Sequence, residues 1–263
     1  MFRGNYNFFD YKYNIVGYNG EDFGSVMQYV YLFASIVLVI VLLILFHKAS
    51  KKKIKNIIRF TGIFMIIFYI LKTSWESFYD IKMFGAFNTG LLPLDACSIV
   101  MYATILAGYG KGTLKKMGES WLVTGGIVGG VSTLLYLNAF KYYPFFSFGA
   151  FYSMIWHFLM IFIGLLLITS HYIEFKYQHV LWGYFFHVVI SLIVIPINFI
   201  FDFDFMLYHH LGGIPIFEDI ATTLSNMNLT FLNPLLMLLL YFVAFNIIYI
   251  IYLVIKALFR KNA

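Results

Sequence analysis

The chain is poor in charge and holds a single thiol. Of its 263 residues only 11% are Asp, Glu, Lys or Arg, against 62% hydrophobic. No water-soluble domain of this length hides that much apolar surface in one core, which leaves an integral membrane protein. One cysteine, Cys97, excludes an internal disulfide framework and leaves the redox compartment unread. Several chemistry-bearing motifs are also missing. There is no His-Glu-x-x-His, which excludes a zincin centre, and no Gly-x-Ser-x-Gly elbow. Gly108-Tyr109-Gly110-Lys111-Gly112-Thr113 lacks P-loop spacing. The last apolar run carries no interior lysine for a retinal Schiff base. No metal site and no cofactor are expected. The N-terminus does not read as a cleavable signal: residues 1–25 are polar and Tyr-rich, the first apolar run begins near Val26, and no small-residue cleavage site follows it.

What the chain does have is apolar windows of bilayer length, which need about 20 residues each. Seven fit, at 26–46, 57–79, 91–109, 120–137, 146–169, 179–201 and 234–257. They predict an all-α, polytopic seven-helix transmembrane bundle: residues 1–25 form a polar extracellular segment and 26–263 a single membrane domain. The formal charge of +6 does not point to nucleic acid, because the cations sit in short connections between apolar runs. The first connection carries His47, Lys48, Lys51, Lys52, Lys53, Lys55 and Arg59. Lys111, Lys115, Lys116, Lys176, Lys256, Arg260 and Lys261 fall on the same side, against Arg3, Lys12, Lys82 and Lys141 on the other. That asymmetry places the N-terminus outside and the C-terminus in the cytoplasm. A multi-pass protein of a cell membrane follows, and the Phe, Ile, Tyr, Asn and Lys usage suits an AT-rich bacterial genome and its plasma membrane.

One connection is long, the outer loop 202–233, with Asp202, Asp204, His209, His210 and a Gly212-Gly213-Ile214-Pro215 turn. A helix within it, lying over the bundle mouth, is one expectation. Gly125, Gly126, Gly129 and Gly130 read as a close-packing face, and Tyr142-Tyr143-Pro144-Phe145-Phe146 as an interfacial aromatic belt.

Ionisable residues inside a span are costly and usually have a reason to be there. Here they gather in the outer half. Glu76 and Asp80 lie near the outer end of the second span, Asp95 and Cys97 near that of the third, and Asn198, Asp202 and Asp204 at that of the sixth. His157 lies ~16 Å below the outer end of the fifth, at ~1.5 Å per residue. Two readings stand at Cys97. It is a small hydrophobe filling a helix contact along the Met101, Thr104, Gly108 stripe, or a nucleophile that needs a base. His157, with Ser153 one turn back, is either that base or an interhelical hydrogen-bonding residue. His187 is a rival placed nearer the cytoplasm. Lys72 and Glu76, spaced i,i+4, read first as an ion pair. Glu76, Asp80 and Asp95 are also candidates for orienting His157 or holding a cationic headgroup. Asn198 is a candidate oxyanion donor or a helix bridge.

The order Leu92-Pro93-Leu94-x-x-Cys97 opening a span, a Gly-rich span, Tyr143-Pro144-Phe145, a mid-span His157 and a span ending in Asn198 resembles the YwaF-like bacterial membrane proteins, related to animal transmembrane protein 164. The resemblance covers residues 57–210. Relatives carry Leu-Pro-Leu-His-Leu-Cys where this chain has Asp95 and Ala96, and an Asn-Tyr-Met-Phe-like string where it has Asp204-Phe205-Met206-Leu207. What the resemblance implies is a membrane-embedded acyltransferase moving fatty acyl chains between phospholipids and lysophospholipids. Cys97 would be the acyl-accepting nucleophile and His157 its base. Beside that pair, Asn198 completes the catalytic set, and Glu76, Asp80, Asp95, Ser98 and Ser153 are the substrate-binding candidates. The alternative is a small-solute or ion-coupled transporter using Lys72, Glu76, Asp80 and Asp95 as its pathway.

Overall fold

Three of the long helices begin on a serine. Ser25, Ser50 and Ser147 precede α1 (Val26–Phe46), α2 (Lys51–Phe84) and α6 (Phe148–Thr169), and their hydroxyls accept from the amides of Gln28, Lys53 and Ala150. Each hydroxyl satisfies one of the backbone donors that a helix start leaves over. α2 stops where Gly85 takes a left-handed conformation at φ 72°, which glycine adopts without steric cost. Between and beyond these run α3 (Ile99–Tyr109), α4 (Gly112–Trp121), α5 (Ile127–Leu135), α7 (Tyr177–Phe201), α8 (Pro215–Asn226) and α9 (Asn233–Arg260). The computed structural model describes residues 6–11, 25–136, 143–211 and 215–260. Arg3, Lys12, Lys141, Tyr142, the Gly212-Gly213-Ile214 turn and Lys261 lie outside the described residues.

The described chain is all-helical, and six of its helical stretches are long and apolar enough to cross a membrane: Val26–Phe46, Lys51–Phe84, Thr89–Tyr109, Phe148–Thr169, Tyr177–Phe201 and Thr230–Leu258. The remaining window, 120–137, is helical from Gly112 to Leu135, as α4, a π-helical turn Leu122–Gly126 and α5 in unbroken succession. The third window, 91–109, departs from a plain span. Its α-helix starts only at Ile99, because Pro93 offers no amide proton and keeps Leu92 extended. α2 is longer than its window at both ends, and at ~1.5 Å per residue it outreaches a hydrocarbon core of about 30 Å.

Buried aliphatic and aromatic side chains from α1 to α4, α6, α7 and α9, with the π turn, form one core that includes Ile58, Met65, Trp121, Leu122, Met160 and Phe245. The face of α3 that carries Met101, Thr104 and Gly108 packs on α2, where Arg59 donates from Nε to the Gly108 carbonyl at 2.8 Å. The glycine face on α5 meets α6. A Cβ on Gly130 would lie 2.8 Å from the His157 carbonyl oxygen and 2.5 Å from Ile161 Cγ1. We therefore expect Gly130→Leu to destabilise the protein by about 1–3 kcal/mol or more through overpacking. A thermal melt in detergent checks this, and an unchanged midpoint would contradict the packing.

The segment after α7 turns back into the bundle instead of lying over it. Phe205, Met206, Tyr208 and Leu211 are all buried, and Tyr208 is fully so. α8 follows as the helix expected within the 202–233 loop. At the other end of the chain, Phe9 and Tyr11 pack on α2, with the Phe9 carbonyl accepting from Trp75 Nε1 at 2.8 Å and Tyr79 Oη at 2.9 Å.

Candidate functional site

Cys97 sits in a break in the helix. From Thr89 the chain makes one 3₁₀ turn, runs extended past Pro93, makes a second turn over Ala96–Ser98 and enters α3. Such a break frees backbone carbonyls, which at bilayer depth are tolerated only where protein satisfies them or where they line a cavity. Three aromatic side chains take that role. Tyr69 on α2 donates to the Leu91 carbonyl, Tyr102 on α3 to Pro93 at 3.0 Å, and Trp156 on α6 to Cys97 at 3.2 Å. The donors at the start of the Ala96 turn are treated differently. The Asp95 side chain does not cap them, and among the described residues the amides of Ala96 and Cys97 bond to no other residue. The thiol thus stands in an uncapped first helical turn.

Around the sulfur lie the Asp95 carboxylate, the Lys72 ammonium and the Ser98 hydroxyl. The phenols of Tyr69 and Tyr152 are within electrostatic reach, as is Tyr241 of α9. Cys97 and Tyr241 are half-buried and Asp95 is exposed. Ser98 is buried. The Met206 amide points at the Asp95 carboxylate from the re-entrant segment after α7. Lys72 and Glu76 form the ion pair that their spacing predicts, and Tyr143 donates to the other oxygen of Glu76. Burial, and then the Glu76 carboxylate, push the Tyr143 phenol well above its ordinary value, which keeps it a donor. Asp80 is buried one turn further along α2, and among the described residues its Oδ2 has no hydrogen-bond partner, as is also true of Ser77 Oγ.

His157 is buried on α6, one residue beyond Trp156. Its Nδ1 lies 2.7 Å from the Ser153 carbonyl and 3.5 Å from the Ser153 hydroxyl. A carbonyl can only accept, so Nδ1 carries the proton and Nε2 keeps its lone pair, the tautomer a general base needs. No hydrogen bond joins His157 to Cys97. Trp156, bonded to the Cys97 carbonyl, is the α6 residue that touches the break. Asn198 is committed elsewhere. Its Nδ2 donates to the Phe205 carbonyl at 2.8 Å and its Oδ1 accepts from the Phe205 amide at 3.1 Å, so it clamps the re-entrant segment and both ends of its amide are engaged. The TMEM164 family model matches residues 23–258.

The chain belongs to the TMEM164 family. No curated protein and no solved structure matches it. In this TMEM164-family chain a second buried polar group forms around His187, the histidine that the sequence offers as the rival of His157. His187 on α7 places Nε2 3.2 Å from Tyr208 Oη, which is 2.5 Å from Ser191 Oγ, and its ring lies 4.2 Å from that of Tyr241. Because Tyr241 also lies within electrostatic reach of Cys97, one aromatic ring stands between His187 and the thiol. The i,i+4 spacing of His187 and Ser191 was the available signal. It meant nothing without Tyr208, which the re-entrant segment delivers from outside the helix.

Proposed function

We propose that this TMEM164-family protein crosses the membrane seven times, with its N-terminus outside and its C-terminus in the cytoplasm. Its chemistry is the transfer of fatty acyl chains between phospholipids and lysophospholipids through a thioester on Cys97. The helical run Gly112–Leu135 is the seventh crossing, and the Lys and Arg distribution sets the orientation. The observation that carries the chemical reading is the break itself. An unwound backbone within an apolar, span-length stretch presents the one thiol of the chain in a helical turn that no side chain caps.

The Cys97 sulfur attacks the ester carbonyl of a donor phospholipid, and the thiol proton passes to Nε2 of His157. Since these two side chains are not hydrogen-bonded to each other, the proton crosses by way of a water or lipid hydroxyl that enters with the substrate. The Ala96 and Cys97 amides stabilise the oxyanion, the role that Asn198 is too occupied to fill. Collapse breaks the ester C–O bond, His157 returns the proton to the departing glycerol oxygen, and a lysophospholipid leaves. A second lysophospholipid then gives its hydroxyl proton to His157 and takes the acyl group, which regenerates the thiol. The aromatic walls Tyr69, Tyr152, Trp156 and Tyr241 keep water from intercepting the thioester. Asp95 and Lys72 are the charged groups best placed for a zwitterionic headgroup.

The test is to trap the intermediate. Purified protein incubated with a phospholipid bearing a labelled acyl chain is quenched in acid and digested. The Cys97 peptide is expected to gain the mass of the acyl group and to lose it in neutral hydroxylamine. A Cys97 peptide that stays unmodified under turnover would remove the thioester. Ser77 and Asp80 on α2, buried and with side-chain oxygens that have no partner among the described residues, favour a second reading, passage of a small polar solute. Solute flux in proteoliposomes that persists in Cys97→Ala protein would carry it.

A further inference from the structure

The re-entrant segment has a narrow neck. Asp202, which ends α7, and the adjacent His209 and His210 come together there, while Phe205, Met206 and Tyr208 form the buried tip. The two imidazoles stack with ring centres 4.0 Å apart. His210 Nε2 lies 2.9 Å and His209 Nδ1 3.4 Å from the same oxygen, Oδ1 of Asp202, and one donor atom from each of the three residues falls within 4.8 Å of the other two. Ligands bound tetrahedrally at 2.0–2.2 Å stand about 3.4 Å from one another. The three donors are therefore spaced as one ion requires, with small adjustments of exposed side chains.

We propose that Asp202, His209 and His210 form a binding site for a divalent transition-metal ion of the zinc class. The ion closes the neck of the re-entrant segment. Two neutral imidazoles and a carboxylate are borderline donors that suit zinc and its neighbours better than calcium or magnesium. The backbone is already fixed for the purpose. Asp204 Oδ1 accepts from the His209 and His210 amides at 2.9 and 2.8 Å, and Asn233 Nδ2 donates to the His209 carbonyl at 2.6 Å. These bonds hold both histidines side by side whether or not an ion is present, which lowers the entropic cost of binding. His209 Nδ1 is buried and makes no hydrogen bond. A cavity of about 300 Å³ opens beside the two imidazoles, lined also by Thr222, Ser225 and Asn226, and leaves room for water at the fourth position.

The neck also needs reinforcement. Asp202, Met206, Leu207 and Leu211 all have φ between 52° and 60°, a left-handed conformation that is unfavourable for side chains with a Cβ. An ion joining residue 202 to residues 209 and 210 ties the two ends of this strained stretch together. It thereby holds Tyr208 against His187 and the Met206 amide against Asp95. The site does not depend on whether Cys97 forms a thioester.

Tag-free, full-length protein in nanodiscs, titrated with Zn²⁺ in a calorimeter, is expected to bind one equivalent. Co²⁺ is expected to give the visible absorption of a four-coordinate nitrogen–oxygen site. Asp202→Asn and His210→Ala, at exposed side chains, should each weaken Zn²⁺ at least about tenfold, while His47→Ala leaves it unchanged. Hydrogen exchange of the amides between 203 and 211 should slow with Zn²⁺ in the wild type only. Absence of stoichiometric uptake by the wild type overturns the site, and so do variants that keep wild-type affinity. Uptake without slower exchange overturns the closure of the neck.

Discussion

Cys97→Ala protein is expected to fold and insert as the wild type does, yet to lose acyl transfer between phospholipid and lysophospholipid by about a thousandfold or more, as removal of a covalent nucleophile does elsewhere. The folding half of that expectation rests on what the sulfur contacts. The bonds that hold the break use backbone oxygens of Leu91, Pro93 and Cys97, all of which survive the substitution. The side chain itself is small and half-buried, so little packing is lost. The chemical half rests on there being no other thiol in the chain. Transfer is read from a labelled acyl chain appearing on an added lysophospholipid. Equal rates in wild-type and Cys97→Ala protein would end the thioester mechanism.

The largest stability effect is expected at Lys72. Glu76 is 1% exposed and makes its ion pair with Lys72 one helical turn away. Lys72→Met leaves a buried carboxylate with the Tyr143 hydroxyl but without its counter-ion. Breaking a buried pair from one side costs about 3–5 kcal/mol, because the remaining charge has lost both water and partner. Adding Glu76→Gln to Lys72→Met removes the stranded charge and should recover most of that loss, so the two substitutions should be far from additive. Unfolding of the two single variants and the double variant in the same detergent measures it. A single Lys72→Met variant as stable as wild type would show that the pair carries no net energy.

Much of this architecture is legible in the order of apolar and polar residues. α1, α6, α7 and α9 fall within a few residues of their windows, because a span is a local property of about 20 residues. The Lys72–Glu76 pair and the glycine face against α6 are read from helical spacing in the same way. Pro93 warns of a break, but a proline does not say which side chains will accept the carbonyls it frees. Those come from Tyr69, Tyr102 and Trp156, on helices distant in sequence or in turn. Asn198 shows the same limit. Its residue type suits an oxyanion donor, while its clamp on Phe205 depends on the chain reversing after Asp202 at a positive φ. His187 is visible in the sequence as a rival histidine, but its partner Tyr208 is not, because that residue meets it only when the segment after α7 folds inward. Non-local burial of a loop leaves no periodic trace.

The peptide oxygens of Leu91, Pro93 and Cys97 hang from rings on three helices, so the stretch between them has no shape of its own to return to. Its outline is copied from the spacing of α2, α3 and α6. Helices adjust to a thicker or thinner bilayer by tilting, and any tilt that alters this spacing is passed straight to the sulfur. The lipid around this protein therefore helps to set where Cys97 stands, as well as being its solvent.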